Sequence, residues 1–259
     1  MKWLQLPLAA LEFLTPFRLR RVAEQDPAAI GPSSAFFPLI GLLLGLALIG
    51  LDRLLSQALP PPAVDALLVT ALALFSGALH LDGLADTADG IFGGRTAERR
   101  LEIMRDSRTG SFGALAVGLM LLLQWNALIS LSPPWRFGGL LLFPALGRCA
   151  AVVALAAFPY ARPEGLGTLF HRHAWPWPAL FAVLSSLLLS IVLFNGSGAA
   201  LWGASILLAL LLGAAMASRL GGLTGDTYGA ICEITQVTVL LLVVSGHQLS
   251  WLRPWFFKG

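Results

Sequence analysis

Three aspartates stand four and three positions apart in the stretch His80-Leu-Asp82-Gly-Leu-Ala-Asp86-Thr-Ala-Asp89-Gly90. At about 3.6 residues per turn, this spacing projects all three carboxylates from one helical face within a narrow arc. Carboxylates so placed repel one another and raise each other's pKa unless a cation compensates. An all-oxygen donor set suits a hard ion. Mg²⁺ in particular is bound through one or two carboxylates plus substrate phosphate oxygens. Asp82, Asp86 and Asp89 are therefore expected to hold Mg²⁺. A merely solvated helix end does not need a one-faced acidic triplet with no basic residue inside it. The residues between are small (Gly83, Ala85, Thr87, Ala88, Gly90), which leaves room for a bulky ligand at the backbone. His80, just before the triplet, reads as a helix cap or a support for the ligands rather than as a ligand.

The next stretch supplies the opposite charge, with Arg95, Arg99, Arg100, Arg105 and Arg108 set among Glu98, Glu102 and Asp106. Guanidinium forks match phosphate oxygens bidentately. Arg99, Arg100, Glu98 and Glu102 read as salt-bridged helix surface. Arg105 and Arg108 crowd toward the triplet and are the candidate phosphate ligands, with Asp106 as a carboxylate that joins the metal cluster from across the loop. Ser107, Thr109, Ser111 and the Gly110 backbone then open an apolar segment, and a helix N-terminus attracts phosphate. A third stretch, Arg219-Leu-Gly221-Gly222-Leu-Thr224-Gly225-Asp226-Thr227-Tyr228-Gly229, is Gly-rich. Its backbone at Gly222 and Gly225 is open to a phosphate or nucleotide, yet it lacks the lysine of a P-loop. Asp226 reads equally as a second metal or base site and as a turn aspartate.

These residues need a scaffold, and the composition names its solvent. Of 259 residues, 57% are hydrophobic and 12% charged, with a mean hydropathy of +0.78. Soluble domains carry about 25% charged residues, so a water-facing surface around this core is excluded. The scarce charge is concentrated: ten of the 31 charged residues lie between Asp82 and Asp106. Two cysteines, Cys149 and Cys232, are too few for a disulfide framework. Net charge is +3, but no aromatic-interleaved basic patch suggests nucleic acid.

A span needs about 20 apolar residues, and seven segments qualify: 36–58, 63–81, 110–132, 137–159, 178–195, 199–217 and 230–248. Their Leu, Ala, Val and Gly show no strand-like alternation. The expected fold is an all-α, polytopic membrane helical bundle forming one domain over 1–259. Breaker-rich turns (Pro60-Pro61-Pro62, Ser132-Pro133-Pro134, Asn195-Gly196-Ser197-Gly198) alternate with longer polar loops. The polar loops hold eleven arginines, among them Arg20, Arg21 and Arg172, against Arg136, Arg253 and Lys258 on the other side. The positive-inside rule then puts the polar loops in the cytoplasm and the C-terminus outside. Residues 1–15 are interrupted by Pro7 and Glu12 and read as an interfacial or re-entrant helix rather than a signal peptide. Arg148 and Glu233 are charges inside spans and are expected to pair or to serve function. Trp175, Trp177, Trp251 and Trp255 read as interfacial anchors.

The stretch His80–Gly90, with Ile103-Met-Arg-Asp-Ser-Arg-Thr-Gly-Ser-Phe-Gly113, resembles the cobalamin synthase family, the adenosylcobinamide-GDP ribazoletransferases. Further matches are Phe13-Leu14-Thr15, Phe36-Phe-Pro-Leu-Ile-Gly41, Tyr160-Ala-Arg162 with Gly165-Leu-Gly167, and Gly221-Gly-Leu-Thr-Gly-Asp226, so the likeness covers nearly the whole chain. Pro16 stands where the family usually has a basic residue, and Gln236 near a position commonly acidic. The resemblance implies a Mg²⁺-dependent enzyme of the bacterial inner membrane with its active site facing the cytoplasm; a homo-oligomer is left open. It implies transfer of adenosylcobinamide phosphate from adenosylcobinamide-GDP to α-ribazole or its 5′-phosphate, with release of GMP. Metal on Asp82, Asp86 and Asp89 would then neutralise the diphosphate. Arg105 and Arg108 would hold phosphoryl oxygens, and Asp106 or a triplet aspartate would take the hydroxyl proton. Asp226 and its loop would meet the GDP moiety or a second metal. A looser likeness to CDP-alcohol phosphotransferases fails where their motif has Ala-Arg and this chain has Ala85-Asp86. A secondary transporter would carry its ionisable groups near the bilayer midplane, whereas this cluster lies at a membrane edge.

Overall fold

The computed structural model describes residues 5–19, 22, 26–162, 170 and 176–255. Arg20, Arg21, Gly165, Gly167, Arg172, Trp175 and Lys258 lie outside the described residues. The described chain is an α-helical bundle, and its one β-like feature is an isolated parallel bridge between Tyr160 and Leu223. In chain order the α-helices are α1 (Gln5–Leu14), α2 (Ile30–Ser33), α3 (Phe37–Leu55), α4 (Pro61–Phe75), α5 (Leu79–Gly93), α6 (Ala97–Ile103), α7 (Ser111–Ile129), α8 (Pro133–Ala157), α9 (Pro176–Leu220) and α10 (Gly225–Gln248).

α9 runs for 45 residues, about 68 Å at 1.5 Å per residue, more than twice the ~30 Å hydrocarbon core. It is a hairpin. Backbone geometry leaves the helical region at Phe194 and at Asn195, whose φ is +54°. Trp202 Nε1 donates to Ser186 Oγ at 3.2 Å although the two are 16 positions apart. Asparagine tolerates that left-handed backbone better than most residues, as the Asn-Gly-Ser-Gly turn predicts. Among the described residues, five helices are long and apolar enough to cross a bilayer, or six if the bent pair α4–α5 counts as one broken span. Folding back divides α9 into two arms that match the expected segments 178–195 and 199–217.

Segment 63–81 departs from expectation. α4 stops at Phe75, Gly77 and Ala78 adopt φ of +58° and +54°, and α5 leaves at 88° to α4. Gly at a helix end makes such a stop inexpensive. The acidic helix is therefore no solvated extension of a span. Most of its small residues are buried against neighbours.

α8 lies at the centre, packed against α3, α9 and α10, and almost every residue from Gly138 to Ala154 is buried. Arg148 within it is 1% exposed; it donates to Pro144 O at 3.1 Å and to Gln236 Oε1 at 3.0 Å. Glu233 accepts from Gln124 Nε2 at 3.1 Å and also interacts with Gln236. Arg148 and Glu233 thus act on each other through their charges, and Gln236 takes a hydrogen bond from the arginine. α1 is ten residues long, too short to span, and packs on α2 and α3. Its Glu12 is buried and accepts from Val22 N at 2.7 Å.

The breaker-rich turns gather at one end. There Arg136 bridges Asp52 at 2.7 Å and Asp65 at 2.6 Å, tying α3, α4 and α8 together. Trp135 Nε1 donates to Leu252 O at 3.2 Å, and Asn195 Nδ2 to Arg253 O at 3.2 Å. Asp65 is 1% exposed, so removing its cation leaves an uncompensated buried charge. Arg136→Ala is expected to cost about 3–5 kcal/mol. Thermal unfolding in detergent should show the loss while the activity of the surviving folded fraction is unchanged.

Candidate active site

The polar loops gather at the other end, around the crossing of α5 and α10. A Cβ on Gly83 would stand 2.7 Å from the Asp226 carbonyl oxygen, and one on Gly229 would stand 3.1 Å from His80 Cα. Helix axes approach this closely only where side chains are missing. The smallness read as room for a ligand serves packing here: Gly83 admits α10, and Gly90 admits Met104 and the Arg100 carbonyl of α6.

That crossing carries Asp226 to the triplet. Asp86 is half-buried and feels the charges of Asp226, Asp82 and Asp89, opposed by Arg162. Asp226 faces Asp82 as well, and its Oδ2 pairs with Arg162 Nη2 at 2.8 Å. Thr224 Oγ1 donates to the same oxygen at 3.2 Å, while Thr224 and Thr227 form the capping box that starts α10. Arg162 is held by the backbone just before it. Ala161 N donates to Leu223 O and Leu223 N to Pro159 O, both at 2.8 Å. Gly222 makes this docking possible, since a Cβ there would lie 2.7 Å from Pro159 O. Gly225 has open space around its Cα and lines a cavity with His80, Asp82 and Asp226.

Exposure grades along the triplet: Asp82 is exposed, Asp86 intermediate, Asp89 buried. Asp89 accepts from Gly110 N at 2.7 Å and Gly113 N at 2.9 Å, so both its oxygens satisfy the first turn of α7. Asp106 and Arg108 form an exposed pair at 2.7 Å. The Arg108 hydrogen bonds hold the Asp106 carboxyl down at about 2. The pair lines a groove of about 270 Å³ with Asp89, Gly110 and Ser111. Asp106 feels the charges of Arg108 and Arg99. Arg105 and Ser107 are exposed on the same loop. Arg99 pairs with Glu102 at 2.7 Å as a surface bridge. Arg100 instead donates to Gly94 O and Arg219 O, both at 3.1 Å, and joins α6 to the end of α9.

The candidate residues therefore fall into two groups. Asp82, Asp86 and Asp226 lie within electrostatic reach of one another, with Arg162 paired to Asp226 and opposing Asp86, and Asp106 with Arg108 shares a groove with Asp89. Among the described residues, no three of His, Cys, Asp and Glu are grouped closely enough to hold a metal by themselves. The donor chemistry still fits a hard cation, because Mg²⁺ needs one or two carboxylates when substrate phosphate completes its shell.

The sequence matches the cobalamin-5-phosphate synthase family over residues 6–244. The chain belongs to that family. It is 39% identical to the adenosylcobinamide-GDP ribazoletransferase of Geotalea daltonii over 246 residues, covering 93% of this chain and 98% of the relative. It is 42% identical to the protein of that name from Pseudomonas putida strain W619, covering 90% and 95%. A third, from Desulforamulus reducens, is 36% identical over 94% and 97%. No solved structure matches. For this member of the cobalamin-5-phosphate synthase family, the residue that sequence reasoning missed is Arg162. It counts there as a topology charge, and the one available signal was its place in the Tyr160-Ala-Arg162 match.

Proposed function

We propose that the chain is a Mg²⁺-dependent adenosylcobinamide-GDP ribazoletransferase, acting in the final steps of cobalamin biosynthesis. The observation that carries the mechanism is the meeting of Asp82, Asp86 and Asp226 around a single arginine at one end of an otherwise apolar bundle. Mg²⁺, when bound, supplies charge neutralisation to the diphosphate and to the departing phosphate oxygens. Asp82 and Asp86 would hold it together with the substrate's phosphate oxygens, while Asp226 is paired with Arg162 and Asp89 is engaged as the cap of α7. Arg108 and Arg105 meet phosphoryl oxygens as charge spreads over them. The ribose 5′-hydroxyl oxygen of α-ribazole forms the new bond to the phosphorus that bears cobinamide. The bond from that phosphorus to the bridging oxygen breaks, and GMP leaves with the electron pair. The hydroxyl proton passes to a carboxylate. Asp106, held near 2 by Arg108, is a poor base at neutral pH, which favours a carboxylate of the Asp82–Asp86–Asp226 group.

We assign the polar end to the cytoplasmic face of the bacterial inner membrane, on the strength of the arginine count in its loops. Purified protein in detergent with Mg²⁺ should release GMP from adenosylcobinamide-GDP only when α-ribazole is present. GMP release at the same rate without acceptor would sink the transferase reading. Arg108→Ala should raise the KM for adenosylcobinamide-GDP about tenfold, the scale of one charged hydrogen bond. Its thermal midpoint should not move, because exposed pairs add little to stability.

A further inference from the structure

We infer that the cavity between α1, α3, α5 and α10 seats the acceptor nucleoside, with its flat base on three phenylalanines and its ribose toward His80 and the carboxylates. This rests on the transferase reading above. The cavity holds about 270 Å³. One end is built from Phe13, Phe37 and Phe170, three residues from distant parts of the chain. Phe13 and Phe37 stack at 5.7 Å with an interplanar angle of 11°. Phe170 meets them edge-on at 5.2 and 6.0 Å. The three rings pack on one another and together present an aromatic wall to the cavity, a surface on which a planar heterocycle can rest. The other end is polar, with His80, Asp82, Arg162 and Asp226 on the wall.

Two buried polar atoms at that end have no partner, His80 Nδ1 and Arg162 Nε. His80 itself is 6% exposed. Such atoms are costly to leave unsatisfied; both are shielded from solvent, so ribose hydroxyls, which both donate and accept, would reach them as the two side chains turn into the cavity. Apolar at one end and hydrogen-bonding at the other, the cavity has the polarity of a nucleoside with an aromatic, weakly polar base. Size selects between the two substrates. Pockets for drug-sized ligands run to about 300–1,000 Å³; at about 270 Å³ this one lies just under that range, nearer to a nucleoside than to a corrinoid joined to GDP, for which it is too small. The exposed Asp82 then leaves the donor's diphosphate to approach from outside the cavity.

The test uses full-length protein in detergent with Mg²⁺. Phe13→Leu and Phe170→Leu, made separately, should each raise the KM for α-ribazole about tenfold and leave the KM for adenosylcobinamide-GDP within about twofold. Tenfold corresponds to about 1.4 kcal/mol. Each variant should also lose preference for a benzimidazole riboside over an imidazole riboside, which a purely structural defect would not change. Binding of α-ribazole, followed by its own ultraviolet fluorescence, gives a readout without turnover and should weaken in parallel. Free dimethylbenzimidazole should inhibit the unaltered protein competitively against α-ribazole but not against the donor, so the test stands even where a variant does not fold. A raised donor KM with α-ribazole unaffected, or inhibition competitive with the donor, overturns the assignment while the transferase reading stands. If the unaltered protein releases no GMP yet both variants bind α-ribazole more weakly, the reaction falls and the cavity assignment stands.

Discussion

Asp86→Asn is expected to lower the rate of GMP release about 10²–10³-fold, the usual scale for removing one preorganised electrostatic group. The substitution is nearly isosteric and takes one negative charge from a set that repels itself. Asp86 faces Asp82, Asp226 and Asp89, with Arg162 as the opposing charge. Removing that charge relieves repulsion, so thermal stability should hold or rise while catalysis falls. This opposite movement separates a ligand from a structural carboxylate. The remaining activity should increase with Mg²⁺ well above the concentration that saturates the unaltered protein. Full activity at limiting Mg²⁺ would remove Asp86 from the metal site and leave the family membership intact.

Gly83→Val should be as damaging by a different route. The new Cβ would stand 2.7 Å from the Asp226 carbonyl and 3.0 Å from its Cα. Backbone cannot swing aside as a side chain can, so α5 and α10 must separate. Overpacking of this kind costs about 1–3 kcal/mol or more. The separation also takes Asp226 and Arg162 away from Asp82 and Asp86, so activity should vanish even in protein that remains folded. Gly118→Val is the control, since nothing lies within 4 Å of a Cβ there. Folded yield and thermal midpoint in detergent, with GMP release on the folded fraction, would check both. A stable and active Gly83→Val protein would refute the close crossing.

What was legible in the sequence was what local spacing dictates. The triplet at four and three positions does lie on one helix, and Asn195-Gly196-Ser197-Gly198 does fold α9 back on itself. The N-terminal helix falls short of a span, as Pro7 and Glu12 imply. What was not legible depends on which element lies opposite. Gly83 and Gly90 read the same whether a ligand or a helix covers them, and only the crossing with α10 and the contact with α6 decide. Arg162 and Asp226 are 64 positions apart, beyond any local pattern. The bend at Ser76-Gly77 is a weak breaker inside an apolar run, and it becomes a sharp turn because α5 has polar surface to bring to the bundle's end. Arg148 and Glu233 were recognisable as partners in need of one another. The part of Gln236, which accepts the Arg148 hydrogen bond from 88 positions away, was not legible.

Because Asp89 grips Gly110 and Gly113 with its two oxygens, the acidic helix and the start of α7 are registered to one another before any substrate arrives. The loop carrying Arg105 and Arg108 enters α7 through that grip. Anionic and cationic halves of the centre thus keep a set separation instead of collapsing together in the resting enzyme, and Arg108 is occupied meanwhile by Asp106. On the proposed reading, an incoming diphosphate would meet a ruler already cut to length, with little ordering entropy left to oppose its binding.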